Sequence, residues 1–188
     1  MNRTIPKRAV FSIVLLAFCL HGAFAQRVNA DARRVADFEE RVAAYVKMRN
    51  EAAAGAPGSK PTDSPDKITG RERDLAQKLR LLRSAARQGD IFTPEISTEF
   101  RRLIRLAWRG SDAAQMKHSL ARAEPVSLAL HINDAYPTAV PLQSTPPTLL
   151  ENLPPLPKEI EYRVIDHNLV LRDARANLVV DFMERAIP

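Results

Sequence analysis

The densest run of ligand-binding side chains lies between Lys67 and Arg109, where eleven Lys or Arg stand against five Asp or Glu. Arg80, Arg83 and Arg87 recur at helical spacing, and Arg101, Arg102, Arg105 and Arg109 follow in the next helical stretch. Residues three and four apart share one side of a helix. Two helices that turn these arginines outward the same way would form a cationic face for anionic lipid headgroups, cell-envelope polymers or an acidic protein partner. Glu72, Asp74, Glu95 and Glu99 are interspersed and supply the competing account, a solvated surface whose charges pair with one another. Aromatic residues are not interleaved with the bases as stacking platforms require, which argues against a nucleic-acid partner.

A second group is acidic. Asp166, Asp173 and Asp181, with His167, fall at the ends and turns of the carboxyl-terminal segment, and hard cations want several oxygen ligands close together. The spacing is not that of a calcium loop, and Asp166-His167-Asn168 is what a hairpin turn needs, so turn and strand-end roles are expected and no metal ligand is assigned. His118, His131 and His167 coexist with Ser111, Ser119 and Ser127, but the chain has no Gly-x-Ser-x-Gly elbow and no His-Glu-x-x-His. Glu159 and Glu161, two apart, are expected to face solvent rather than to form a sugar-cleaving pair. No catalytic residue and no cofactor is assigned. The enzymatic alternative is a small hydrolase or metal-dependent enzyme with a His/Asp site at the ends of that segment.

The elements that must position these groups can be read from periodicity. Glu159 to Phe182 has alternating apolar residues at Ile160, Tyr162 and Val164, at Leu169 and Leu171, and at Leu178, Val180 and Phe182, which predicts a three-stranded antiparallel meander. Asp173 can close the second turn as an Asx-turn. A sheet this small needs a second layer. Helical stripes precede it: Val35, Phe38, Val42 and Tyr45 or Val46 within Asp31 to Asn50; Ile68, Leu75, Leu79, Leu82 and Ala86 from an Asp66 cap to Gly89; and Ile96, Phe100, Leu103, Ile104 and Ala107 behind the Thr93-Pro94-Glu95 start. A weaker fourth helix is expected from Ser111 to about Arg122. Val126, Leu128, Leu130 and Ile132 alternate and predict one earlier strand able to join the meander. Residues 54 to 65, rich in Gly, Pro and Ser, read as a flexible loop. Residues 137 to 157 carry seven prolines interleaved with Leu142, Leu149, Leu150, Leu153 and Leu156, and read as an extended strap laid over the domain.

Residues 1 to 25 read as a secretory signal peptide. Arg3, Lys7 and Arg8 precede an apolar run from Ala9 to Leu20, and Ala23-Phe24-Ala25 makes a small-x-small cleavage site. The run is shorter than the roughly 20 residues a bilayer span takes, so no transmembrane segment is expected after cleavage. Cleavage removes three bases and no acid, taking the formal net charge from +6 to +3. It also removes Cys19, the sole cysteine, so the stability of residues 26 to 188 has to come from packing.

The sequences HINDAYP (131 to 137), PPTLLENLPPLP (146 to 157) and EYRVIDHNLVLRDARANLVVDF (161 to 182), with the ending Ala186-Ile187-Pro188, resemble a family of short exported bacterial proteins; GDIFTPE (89 to 95) resembles it more loosely. The resemblance covers the last third of the chain and implies a bacterial exported protein, without carrying over an activity or a site residue. The expectation is a single α+β domain with three to four amphipathic helices on a small antiparallel sheet. It would act as an accessory or binding protein of the periplasm or exterior, with the arginine-rich helices as its contact surface.

Overall fold

The computed structural model describes residues 7–54, 64–122, 128–137 and 145–188, with side chains of the first helix described from Ala30 onward. The predicted loop at 55–63 and the first part of the strap, 138–144, lie outside the described residues, as do Val126 and Ser127. The chain has an α+β fold with helices α1 (Lys7–Ala54), α2 (Pro65–Leu82), α3 (Pro94–Ala107), α4 (Ala113–Arg122) and the single turn α5 (Pro147–Leu150). Strands β1 (Ile160–Ile165), β2 (Asn168–Asp173) and β3 (Leu178–Met183) follow and pair antiparallel in the order β1-β2-β3.

Two helix starts have a clear local cause. The Thr93 hydroxyl accepts from the Ile96 amide at 3.3 Å, and Pro94 occupies the first helical position, where no N–H is needed. Pro147 opens α5 by the same logic, so the strap contains one helical turn where the proline content predicts only extended chain. Both turns of the meander form as their residues predict. Asp166 takes a φ of 55° between Ile165 and its partner Asn168, and Asp173 Oδ1 accepts from the amides of Arg175 and Ala176 at 3.0 and 2.8 Å.

One face of the sheet carries the main core. Phe38, Val42 and Tyr45 of α1 and Ile96, Phe100 and Ile104 of α3 pack on Ile160, Tyr162, Val164, Leu169 and Leu171. Phe38 sits at the centre, its ring centroid 4.7 Å from Phe100, 5.8 Å from Phe92 and 6.4 Å from Tyr162. Each such fully buried side chain contributes about 1.5–3 kcal/mol. Leu75, Ala76 and Leu79 of α2 extend this layer against Ala52, Ala176 and Leu178. Leu82 and Ile68, placed on that stripe by spacing, are instead exposed, and Arg83 turns inward.

The other face is covered too. Ile165, Val170, Val179 and Phe182 pack with Tyr136, against which Leu128, Leu130 and Ile132 lie. The segment predicted as a fourth strand therefore covers a face rather than extending the sheet. In its described part, 128–132, no strand forms; pairing begins only afterwards, where Asn133 N and Tyr136 N donate to the carbonyls of Val179 and Asn177 at 2.9 and 3.1 Å. A bulge explains how the faces sort. Leu171 pairs with Asp181 but Arg172 pairs with Val179, so Val180 is the extra residue. From there the alternation inverts: Asp181 is swung to the helix side and Phe182 to the opposite face from Leu178 and Val180, against the simple period-two reading.

Candidate functional site

Among the acidic residues the structure assigns two to the interior. Asp173, fully buried at the end of β2, accepts from the Tyr45 hydroxyl and from Arg49 Nε, both at 3.0 Å, so the turn it closes is also tied to α1. Burial, and then the adjacent Asp173 carboxylate, push the Tyr45 hydroxyl far above its ordinary value, which keeps it a donor. Asp181, also fully buried, accepts from four amides: Gly89 at 2.9 Å, Ile91 at 2.8 Å, Phe92 at 2.8 Å and its own neighbour Phe182 at 2.8 Å. A carboxylate thus organises the connection between α2 and α3, and Gly89 supplies the φ of 91° that aims its amide there.

Asp166 and His167 lie in the β1-β2 turn, whereas Asp173 ends β2 at the opposite end of a six-residue strand, roughly 17–20 Å away. The His167 Nδ1 atom is 3.1 Å from the Ile187 carbonyl and its Nε2 is 3.8 Å from Asp166. His118 and His131 are exposed, His131 Nδ1 resting 3.2 Å from Asp134. Asp166, Asp173, Asp181 and His167 are therefore not brought together, and among the described residues no group of three or more His, Cys, Asp or Glu side chains could hold a metal ion. Glu161 does not face solvent freely as its spacing predicts. It is half-buried between Arg163, at 2.8 and 2.6 Å, and Arg172 on the neighbouring strand. Burial would raise its carboxyl, but hydrogen bonds from Arg163 and Arg172 outweigh it and hold the group below its ordinary value of 4.5. A depressed carboxylate contributes stability that is complete above the unfolded value and lost as pH falls through the folded one. Thermal melting followed from neutral pH down to about pH 3 should therefore lose midpoint below pH 4.5, and Glu161→Gln should flatten that acid limb. An unchanged limb in the variant would assign the loss to other groups.

The seven arginines separate by what they touch. Arg83 is buried, which opposes its placement on a contact face: it donates to the Val180 carbonyl and to Asn133 Oδ1, both at 2.8 Å, and lies 5.1 Å from the Tyr45 ring centroid. Arg80 Nε donates to the Asn133 carbonyl at 3.0 Å and Arg101 to the Glu184 carbonyl at 3.1 Å. Arg83, Gln88 and Arg101 in succession serve the carbonyls of Val180, Phe182 and Glu184, so side chains from the helical layer finish the outer edge of β3 beyond its contact with 133–136. Arg102 pairs with buried Glu99 and lies 3.6 Å from Asp31. Arg87, Arg105 and Arg109 remain exposed, and their guanidinium groups have no partner among the described residues. Sequence spacing could not make this division, because a carbonyl on a distant strand leaves no trace in the local charge pattern.

Two further surface features accompany them. Leu106 is 51% exposed on α3 between Arg105 and Arg109, and Trp108, the C-cap residue, is half-buried against the main core. Beside β1, a groove of about 440 Å³ runs between the strap residues Leu150, Pro154, Pro155 and Leu156 and the strand residues Ile160 to Arg163. The Tyr162 hydroxyl donates to the Pro154 carbonyl at 2.9 Å and holds the strap there. No protein-family model, no characterised protein and no solved structure matches the chain.

Proposed function

We propose that this is an exported, non-enzymatic accessory or binding protein of the bacterial envelope or exterior, and that it meets an anionic partner through the outer face of the end of α3 and the turn that follows it. Export is supported by the basic, apolar and small-x-small order of the first 25 residues and by the family resemblance. Cleavage after Ala25 would leave intact the part of α1 from Phe38 to Ala52 that enters the core. Among the described residues no helix is long and apolar enough to cross a membrane.

The observation that carries the contact surface is the pair Arg105, in the last turn of α3, and Arg109, two residues past its end, both exposed and unpaired among the described residues, while the helix buries its stripe of Ile96, Phe100, Ile104 and Ala107. Charges so placed are not neutralised internally and their field reaches outward over about a Debye length. Retention on a phosphate-bearing cation exchanger tests this. Arg105→Glu with Arg109→Glu should elute at markedly lower salt than Arg73→Glu with Arg175→Glu, which makes the same charge change at two other exposed positions. Equal elution of the two double variants would mean that only net charge matters and would remove the surface.

A further inference from the structure

We infer that the end of α3 and the corner after it form a docking surface for an anionic lipid bilayer, with Leu106 and Trp108 entering the headgroup layer while Arg105 and Arg109 meet lipid phosphates. The inference rests on the proposed function and narrows its anionic partner to a membrane.

The argument is one of mixed chemistry within a single turn. A soluble polyanion needs only cations, and an apolar side chain among them gains nothing from it. Here Leu106, 51% exposed, lies between the two unpaired arginines, and the half-buried Trp108 follows at the helix end. Leucine beside arginine on one exposed face is the composition of a segment that lies in the plane of a bilayer, where apolar burial and attraction to anionic lipid add. Tryptophan suits the same depth, since its ring is apolar while its N–H can stay in the polar layer.

The fold keeps this turn rigid and outward. Ile104 and Ala107, on either side of it, are buried in the main core, and Trp108 N and Gly110 N donate to the carbonyls of Ile104 and Ala107 at 2.9 and 3.3 Å. The acids closest in the chain do not cancel the charge: Glu99 is already paired with Arg102, leaving only exposed Asp112 after Arg109.

Trp108 is the only tryptophan in the sequence, so its emission reports on this corner alone. The protein, recovered in the form an expressing bacterial cell delivers, is mixed with phosphatidylglycerol vesicles, with phosphatidylcholine vesicles and with polyphosphate. Phosphatidylglycerol should shift the emission to the blue and protect it from a soluble quencher, phosphatidylcholine should do neither, and added salt should reverse the shift. Arg105→Glu with Arg109→Glu should weaken vesicle binding by about tenfold or more, and Leu106→Ser should reduce the shift while the circular dichroism of both variants stays that of the parent. Binding of polyphosphate without any shift on vesicles would overturn the membrane inference and leave the anionic contact standing. Vesicle binding with unmoved Trp108 emission would overturn it as well, and failure to bind any of the three would remove both readings.

Discussion

Asp181→Ala is expected to be among the most damaging single changes in the chain, costing about 3–5 kcal/mol. The carboxylate is wholly buried and accepts from Gly89, Ile91, Phe92 and Phe182, two amides on each oxygen. Alanine leaves the buried amides of Ile91, Phe92 and Phe182 without that acceptor, and the part-buried Gly89 amide with only solvent to turn to; each buried orphan costs about 1–3 kcal/mol where nothing relaxes. Asp181→Asn separates charge from connectivity: one acceptor oxygen survives, while the new NH2 meets two amides that can only donate. Its cost should therefore fall between parent and alanine, at about 2–4 kcal/mol. Urea denaturation measures both. A loss below about 1 kcal/mol for the alanine variant would mean that the loop from Gly89 to Phe92 finds other partners, and the proposed clamp would be wrong.

Arg49→Ala should cost a similar amount, about 3–5 kcal/mol, because it strands the Asp173 carboxylate in the interior. Both side chains of the pair are almost completely shielded, at 6% and 0% exposure, so screening by solvent does not soften the loss. Tyr45→Phe removes only one neutral donor to the same oxygen and should cost about 1–2 kcal/mol. Because Tyr45 and Arg49 share Asp173 Oδ2, the double change should be non-additive, with a coupling of about 0.5–3 kcal/mol in a double-mutant cycle. Simple additivity would show that the two donors act independently and that Asp173 does not join them into one unit.

What could be read from the sequence was what local chemistry decides. The three strands, the Thr93-Pro94 start of α3 and the Asp173 turn all follow from side-chain types acting on their own neighbourhood. The bulge at Val180 could not be read, because Leu178, Val180 and Phe182 satisfy a period of two by themselves, and nothing local says that Asp181 finds its donors on the helix side in the amides of Gly89, Ile91 and Phe92. Leu128, Leu130 and Ile132 misled in the opposite way: their alternation is real, but it serves a segment that covers a face without pairing in it. The arginine face was half legible. Spacing placed Arg80, Arg83 and Arg87 on one helix side, but α2 ends at Leu82, so Arg83 is its cap and Arg87 lies beyond it, and nothing local says that Arg83 ends on the Val180 carbonyl while Arg105 and Arg109 end in water.

The ties from α1 to Asp173 join residues 128 and 124 positions apart, and those from the Gly89 loop to Asp181 span about ninety. The donors on α1 and in the loop from Gly89 to Phe92 thus find their buried carboxylates only across long stretches of chain, on β2 and β3. A fragment lacking β2 and β3 would leave Tyr45, Arg49 and the Ile91 and Phe92 amides without those acceptors, so closing these large loops and matching the interior polar groups are one and the same event.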